Sequence, residues 1–192
     1  MLDSAREITT LRSLDAIYGP SADALRITET GIWHPTPLPV LAAAVDVCAR
    51  EDLIRRNDSV FDAGAGDGRV LAACAIGFPT SNLRLHGLEI DRELVMLAHR
   101  RLSRTLPHVT IGVGDYFGDD GSPLGECDVV FNYPDGNERD LVRGFWANAR
   151  AGARLLVLSP ETDPDLGATP VARLAGSPSG SPVSWRLVLF RR

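Results

Sequence analysis

The stretch Val60-Phe61-Asp62-Ala63-Gly64-Ala65-Gly66-Asp67-Gly68-Arg69-Val70 constrains this chain more than any other. An apolar run, Ser59 to Phe61, ends on an acid, a glycine-rich turn follows, and a helical pattern runs from Arg69 to Gly77. The order strand, glycine turn, helix opens many ligand-binding α/β units. The glycines let the backbone turn sharply and approach a ligand closely. The helix N-terminus behind them offers N–H groups that lack intrahelical partners.

The spacing narrows the ligand. A dinucleotide loop needs G-x-G-x-x-G, whereas Gly64, Gly66 and Gly68 give G-x-G-x-G, with Arg69 in the place of the third dinucleotide glycine. Asp62 and Asp67 flank the turn and would repel a pyrophosphate. Two acids around open N–H groups suit a ligand that carries both signs of charge. S-adenosylmethionine, with an ammonium, a sulfonium and one carboxylate, is such a ligand.

The sequence F-D-A-G-A-G-D-G-R resembles the first motif of the class I S-adenosylmethionine-dependent methyltransferases. The resemblance runs from about Pro35 to the C-terminus and is strongest between Val60 and Tyr133. It implies cofactor contacts from Asp62, Ala63, Gly64, Gly66, Asp67 and Gly68. Glu89 ends the strand pattern Leu83 to Ile90, about 20 residues past the loop, where nucleotide-binding α/β units place an acid for the ribose hydroxyls. A carboxylate accepts two such bonds at once, and the family's second motif carries the same acid. Ile90 lies beside it; Asp91 competes for the role but suits the cap of the next helix. After the strand Val109 to Val113 come Gly114-Asp115-Tyr116-Phe117. They resemble the third motif, in which Asp115 would accept from the adenine amino group and Tyr116 and Phe117 would pack on its ring. The competing assignment is an Asp-initiated turn followed by core aromatics.

The buried strand pattern Cys127 to Phe131 ends in Asn132-Tyr133-Pro134-Asp135-Gly136, at the position of the family's acceptor motif. Amino-group methyltransferases often carry Asn/Asp-Pro-Pro-aromatic there. This chain keeps Asn132 and one proline but has Tyr133 second and Asp135 fourth. The resemblance implies that Asn132 and the Tyr133 carbonyl orient an amine lone pair, with Pro134 fixing the turn. The segment is also rich in turn formers. The glycine loop, the early Pro35-Thr36-Pro37 and the Asn at the fourth core strand look like the protein-lysine branch, so the expected acceptor is a protein nitrogen. A small metabolite is the alternative. RNA comes third, and a non-catalytic module of the same fold is opposed by the presence of Asp62, Glu89 and Asp115.

At 192 residues the chain has the length of one domain with a substantial core. The net charge of −5 weighs against a nucleic-acid footprint, which needs clustered positive charge. Every basic side chain other than histidine is arginine, a pattern that codon bias in a GC-rich genome would produce. Cys48, Cys74 and Cys127 show no C-x-x-C spacing, so neither a metal site nor a disulfide framework is suggested. The N-terminus lacks an apolar signal region and no run reaches membrane-spanning length. The expected location is the cytoplasm, with a protein or small molecule as partner and no membrane association.

Ahead of the core, residues 4–17 read as a helix with Ile8, Leu11, Leu14 and Ile17 on one side, stopped by Tyr18-Gly19-Pro20. Residues 21–32 are ambiguous. Residues 1–34 thus form an N-terminal extension that could cover the active face or simply pack, with 35–192 as the methyltransferase domain. Trp33 and His34 are candidates for the wall of the cofactor pocket. Trp33 would serve equally as core, and a catalytic base at His34 is the lesser alternative. Helices are expected at 38–53, 92–106 (Leu94, Leu97, Ala98 and Leu102 inward, a solvated arginine face outward) and 137–150. Strands are expected at 154–158, 171–175 and 183–190, the last two forming a hairpin. The helix between the fifth and sixth core strands looks shortened or absent. The fold class is a doubly wound α/β three-layer sandwich, with a mostly parallel seven-stranded sheet whose last strand is antiparallel.

Overall fold

The computed structural model describes residues 4–19, 23–117, 123–133, 138–159, 170–176 and 185–192. Ahead of the glycine loop lie helix α1 (Ala5–Tyr18), a small hairpin of β1 (Arg26–Thr28) and β2 (Gly31–Trp33), and helix α2 (Leu38–Arg50). The core continues with β3 (Ser59–Ala63), α3 (Arg69–Gly77), β4 (Arg84–Glu89), α4 (Arg92–Leu102) and β5 (Val109–Val113). It closes with β6 (Val129–Asn132), α5 (Glu138–Asn148), β7 (Arg154–Ser159), β8 (Ala172–Gly176) and β9 (Trp185–Arg191).

The main sheet has seven strands in the order β5-β4-β3-β6-β7-β9-β8. Strands β3, β4, β5, β6 and β7 pair in parallel, and β9 runs antiparallel to both its neighbours. This is the expected doubly wound sheet with its last strand reversed. Strand β3 sits in the middle and is buried along its whole length, as a parallel strand covered on both faces must be. The chain steps outward from β3 to β4 and β5 on one side, then returns to lay β6 on the other. The carboxyl ends of β3 and β6 therefore flank the switch point, where open α/β sheets hold their ligands.

One face of the sheet carries a core built from Leu14 and Tyr18 of α1, Leu41 and Val45 of α2, Leu71 of α3 and Ala98 of α4. The other carries Phe61, Leu141, Phe145 and Phe190. Helix α1 starts at Ser4, whose hydroxyl accepts from the Glu7 N–H, and Arg6 donates to the Gly77 carbonyl. Leu14 and Tyr18 are buried, Leu11 and Ile17 partly so, and Ile8 is exposed. The three cysteines are free and buried. Burial pushes their thiols up, Cys48 and Cys127 to about 12, so they serve as small core residues.

Several boundaries differ from the sequence expectation. Residues 21–32, ambiguous in sequence, supply all of the β1–β2 hairpin except its last residue, Trp33. Helix α2 stops at Arg50 because Asp52 turns left-handed, with φ of 52°, and the Leu53 N–H returns to the Cys48 carbonyl. Helix α4 stops at Leu102, whose carbonyl accepts from both Thr105 and Leu106 in a closing turn. Val95 takes a buried position in α4, whereas Leu97 is only partly buried. The fourth core strand starts at Val129 rather than Cys127. The expected shortened helix, the tip of the last hairpin, and Pro134 with its following turn lie outside the described residues. No helix among the described residues is long and apolar enough to cross a membrane.

Candidate functional site

A cavity of about 820 Å³ opens at the carboxyl edge of the sheet. Its lining includes Asp62 and the loop residues Gly64 to Asp67 after β3, Glu89 and Ile90 after β4, Asp115 and Tyr116 after β5, and Tyr133 after β6. Trp33 and His34 form part of the opposite wall. Its volume lies within the usual range for small-molecule sites.

The glycine loop departs from the expectation of open N–H groups. Gly64 and Ala65 both donate to the Leu88 carbonyl, at 3.1 and 2.9 Å. Gly66 donates to Glu89 Oε2 at 2.8 Å, and Gly68 donates to the Ala65 carbonyl at 2.9 Å. These four donors are engaged within the protein, so at these four positions the loop offers no N–H to an anion. The close approaches that require glycine also come from protein atoms. Gly66 has φ of +53°, and a Cβ there would lie 2.7 Å from Trp33 Nε1. Gly68 has φ of +81°, and a Cβ there would meet Ile111 and Leu102 at 2.6 and 2.7 Å.

Asp62 is 2% exposed, and its Oδ2 is buried with no hydrogen-bond partner among the described residues. Burial first, then the charges of Glu89 and Asp67, push its carboxyl well above the ordinary value. A buried carboxylate oxygen without a partner is costly, and a cation placed beside it would relieve that cost. Glu89 sits on the neighbouring strand end. Its Oε2 accepts from Gly66, and its Oε1 accepts from the Asp91 N–H at 2.9 Å. Each oxygen keeps a second lone pair that could accept from a ligand hydroxyl.

Asp91 caps α4, accepting from the N–H groups of Glu93 and Leu94 at 2.9 and 3.1 Å. Burial alone would raise its carboxyl. The N–H groups of Leu94 and Glu93 and the hydroxyls of Thr28 and Thr30 outweigh that and hold it below the ordinary value. Asp115 is exposed and accepts from the Phe117 N–H at 2.8 Å, an Asp-initiated turn on the cavity rim. Tyr116 is buried in the second core, its ring 4.4 Å from that of the more exposed Phe117.

Asp67 lines the cavity, but its carboxylate is held by arginines. Arg69 grips it through two bonds, Nε to Oδ1 and Nη2 to Oδ2, both 2.9 Å, and Arg101 adds a third. Its carboxylate is therefore already paired, unlike the carboxyl of Asp62. The same Arg69 reaches Asp23 and the Thr36 carbonyl, each at 2.9 Å, and lies 5.2 Å from the ring of Trp33 and 5.4 Å from that of Tyr18. Sequence reasoning missed Tyr18, Asp23, Arg69 and Arg101. The only available signal was an arginine placed directly after an acidic glycine turn.

Ala63, Gly68 and Asn132 do not line the cavity. Asn132 is fully buried, and its Nδ2 donates to the Ala63 carbonyl at 3.0 Å, because the ends of β6 and β3 are neighbours. Its Oδ1 is buried without a partner among the described residues. The expectation that Asn132 opens onto the cavity is corrected accordingly: the bond to β3 holds it beneath the surface. Tyr133, next in the chain, does line the cavity, and burial first, then the charge of Asp23, pushes its hydroxyl up. Trp33 is half-buried and His34 is exposed.

No family model and no curated protein matches the sequence. Many solved structures share its fold. An RNA methyltransferase from Salinibacter ruber, solved with S-adenosyl-L-homocysteine, is 22% identical over 81% of this chain and 92% of its own, with a TM-score of 0.60. A putative RNA methyltransferase from Pyrococcus horikoshii is 14% identical over 98% of this chain and 99% of its own, with a TM-score of 0.64. An S-adenosylmethionine-dependent O-methyltransferase from Thermotoga maritima is 16% identical over 88% and 79%, with a TM-score of 0.57. The likeness is one of fold: the chain has the Rossmann-like architecture found in class I methyltransferases.

Proposed function

We propose that this protein is an S-adenosylmethionine-dependent methyltransferase. The observation that carries the reading is the pairing of Asp62 with the glycine loop. Four of the loop's donors are engaged within the protein, while a buried carboxyl oxygen beside it has no partner among the described residues. Such a site selects a positive group over a phosphate. The donor's ammonium would lie by Asp62, its ribose hydroxyls would share the free lone pairs of Glu89, and its base would lie toward Asp115 and Phe117. When bound, the donor would supply a methyl group on a sulfonium: the acceptor's lone pair would form the new bond to carbon in line as the carbon–sulfur bond breaks, and S-adenosylhomocysteine would leave as the neutral thioether. The protein's part is alignment, which can contribute on the order of 7–11 kcal/mol to such a step.

We further propose a nitrogen acceptor of the protein-lysine kind. The cavity lining carries five acids, Asp62, Asp67, Glu89, Asp115 and Asp140, against one arginine among the described residues, Arg69; Asp67 is paired with Arg69 and Asp140 with Arg143 outside the lining, which leaves Asp62, Glu89 and Asp115 without an arginine partner in the lining. That balance favours a cationic amine over a nucleic-acid backbone. The carbonyl of Tyr133, a residue of the cavity lining, is the acceptor that would orient the amine, and the buried Asn132 would hold that strand end in place through its bond to the Ala63 carbonyl. Two of the RNA-directed structures above share the fold, so RNA is the second reading. Calorimetry tests the donor: S-adenosylhomocysteine should bind, and NAD and NADP should not bind comparably. Labelled donor incubated with cell extract, then separated into protein, RNA and metabolite fractions, tests the acceptor. Label in RNA or metabolites alone would overturn the lysine assignment and leave the donor assignment intact.

A further inference from the structure

The N-terminal segment and the glycine loop are joined through one side chain. Arg69 is 2% exposed and makes two bonds to the loop through Asp67, and two more to the segment before the core, through Asp23 and the Thr36 carbonyl. Asp23 also accepts from the N–H of Leu38, the first residue of α2, whose N-cap, Pro37, supplies no side-chain cap. The same guanidinium lies against Trp33, and the edge of Trp33 rests on Gly66. At the far side, Thr28 and Thr30 of the hairpin bond to Asp91, two residues beyond Glu89. The β1–β2 hairpin therefore spans the cavity from the glycine loop to the start of α4.

We propose that Arg69 and Asp23 are positioning residues that make this hairpin the roof of the methyl-donor site, with Trp33 as the roof residue in contact with the donor. The inference rests on the donor assignment above. Both anchors of the roof belong to segments that would touch the donor: the glycine loop at one end, and the turn after Glu89 at the other. A ligand that fixes those segments must also favour the seated roof, and a seated roof must favour the ligand, since the coupling is reciprocal. The fastening is local enough to be cut singly. Asp23 can be removed without unpairing Arg69, because Asp67 still holds it.

The test combines hydrogen exchange with calorimetry on the full chain, using S-adenosylhomocysteine as the probe. In the wild type, amide exchange across residues 24–33 should slow when the probe binds. Asp23→Ala should abolish that slowing, and both Asp23→Ala and Trp33→Leu should bind the probe about tenfold more weakly. Asp23→Glu, which keeps the charge, should bind like the wild type. A role confined to packing would not make exchange in the hairpin respond to the probe. Unchanged exchange in the wild type, or wild-type affinity in both weakened variants, would overturn the proposal. If the wild type binds no probe, the donor assignment fails by itself. In that case, equal hairpin exchange in the ligand-free wild type and Asp23→Ala would overturn the fastening as well.

Discussion

Glu89 Oε2 lies 2.8 Å from the backbone nitrogen of Gly66, so the acid that ends β4 shapes the loop that follows β3. Glu89 therefore has two tasks, holding the loop and offering lone pairs to a ligand. Glu89→Ala should weaken S-adenosylhomocysteine binding by about 1.5–3 kcal/mol, the range for hydrogen bonds to a charged group. It should also lower the denaturation midpoint of the ligand-free protein, because the Gly66 and Asp91 N–H groups lose their acceptor. Asp91→Ala removes the α4 cap and should cost about 1 kcal/mol of stability, with a smaller effect on affinity. Urea unfolding with and without ligand separates the two quantities. Greater sensitivity of affinity at Asp91 than at Glu89 would reverse these roles.

The raised carboxyl of Asp62 sets a pH dependence with a definite sign. Its folded value lies above its unfolded one. Its contribution to stability is therefore full below the ordinary carboxylate value and is lost as pH rises through the folded value. A bound ammonium favours the ionised form. Affinity for S-adenosylhomocysteine should thus climb with pH above the ordinary carboxylate range, and binding should release a proton. The measurement belongs below about pH 7.7, where an α-amino group itself begins to titrate. Calorimetry in buffers of different ionisation heat reads the proton directly. Asp62→Asn should bind weakly with no proton release, and a flat pH profile in the wild type would count against the pairing.

Helix α1 contributes Leu14, which is fully buried, to the core shared by α2 and α3. Leu14→Ala should cost about 2–5 kcal/mol, as for buried leucines elsewhere, measured by chemical denaturation. A loss within about 0.5 kcal/mol, the surface range, would instead mark residues 1–34 as a separable cover.

Asn132 ties its side-chain nitrogen to β3, and its oxygen has no partner among the described residues. Asn132→Ala should lower kcat while changing donor affinity little, since it frees the strand end that positions Tyr133 rather than removing a donor contact. Mass spectrometry of the product should show an N-methyl group. An O- or C-methylated product, or full kcat in the variant, would remove Asn132 from the acceptor site.

The sheet, its switch point and the cap at Asp91 were legible because each is written locally: an unbroken apolar strand, a glycine turn, an acid one step ahead of a helix. The environment of Asp67 was not. Its partner Arg101 lies 34 residues away, and nothing in the loop shows whether an acid there meets a ligand or an arginine. Three of the loop's donors, Gly64, Ala65 and Gly66, looked open for a similar reason, since their acceptors, Leu88 and Glu89, belong to the next strand. The hairpin escaped because each of its strands has three residues, too few for alternation to show. Trp33 was legible as a wall residue or core residue but not as the reason Gly66 must be glycine. That assignment requires knowing that the chain before the core folds back over the loop.

The bond from Asn132 to the Ala63 carbonyl also bears on motion. It staples the ends of two adjacent parallel strands at the point where the sheet's winding reverses. Together with the ladder between the two strands, that bond opposes widening the crevice by spreading β3 from β6. The easier route for a ligand is then from the side opposite the sheet. A substrate's size limit would then be set by how far a short two-stranded flap can lift, and variants that lengthen or shorten that flap should change which acceptors are admitted before they change how fast a methyl group moves.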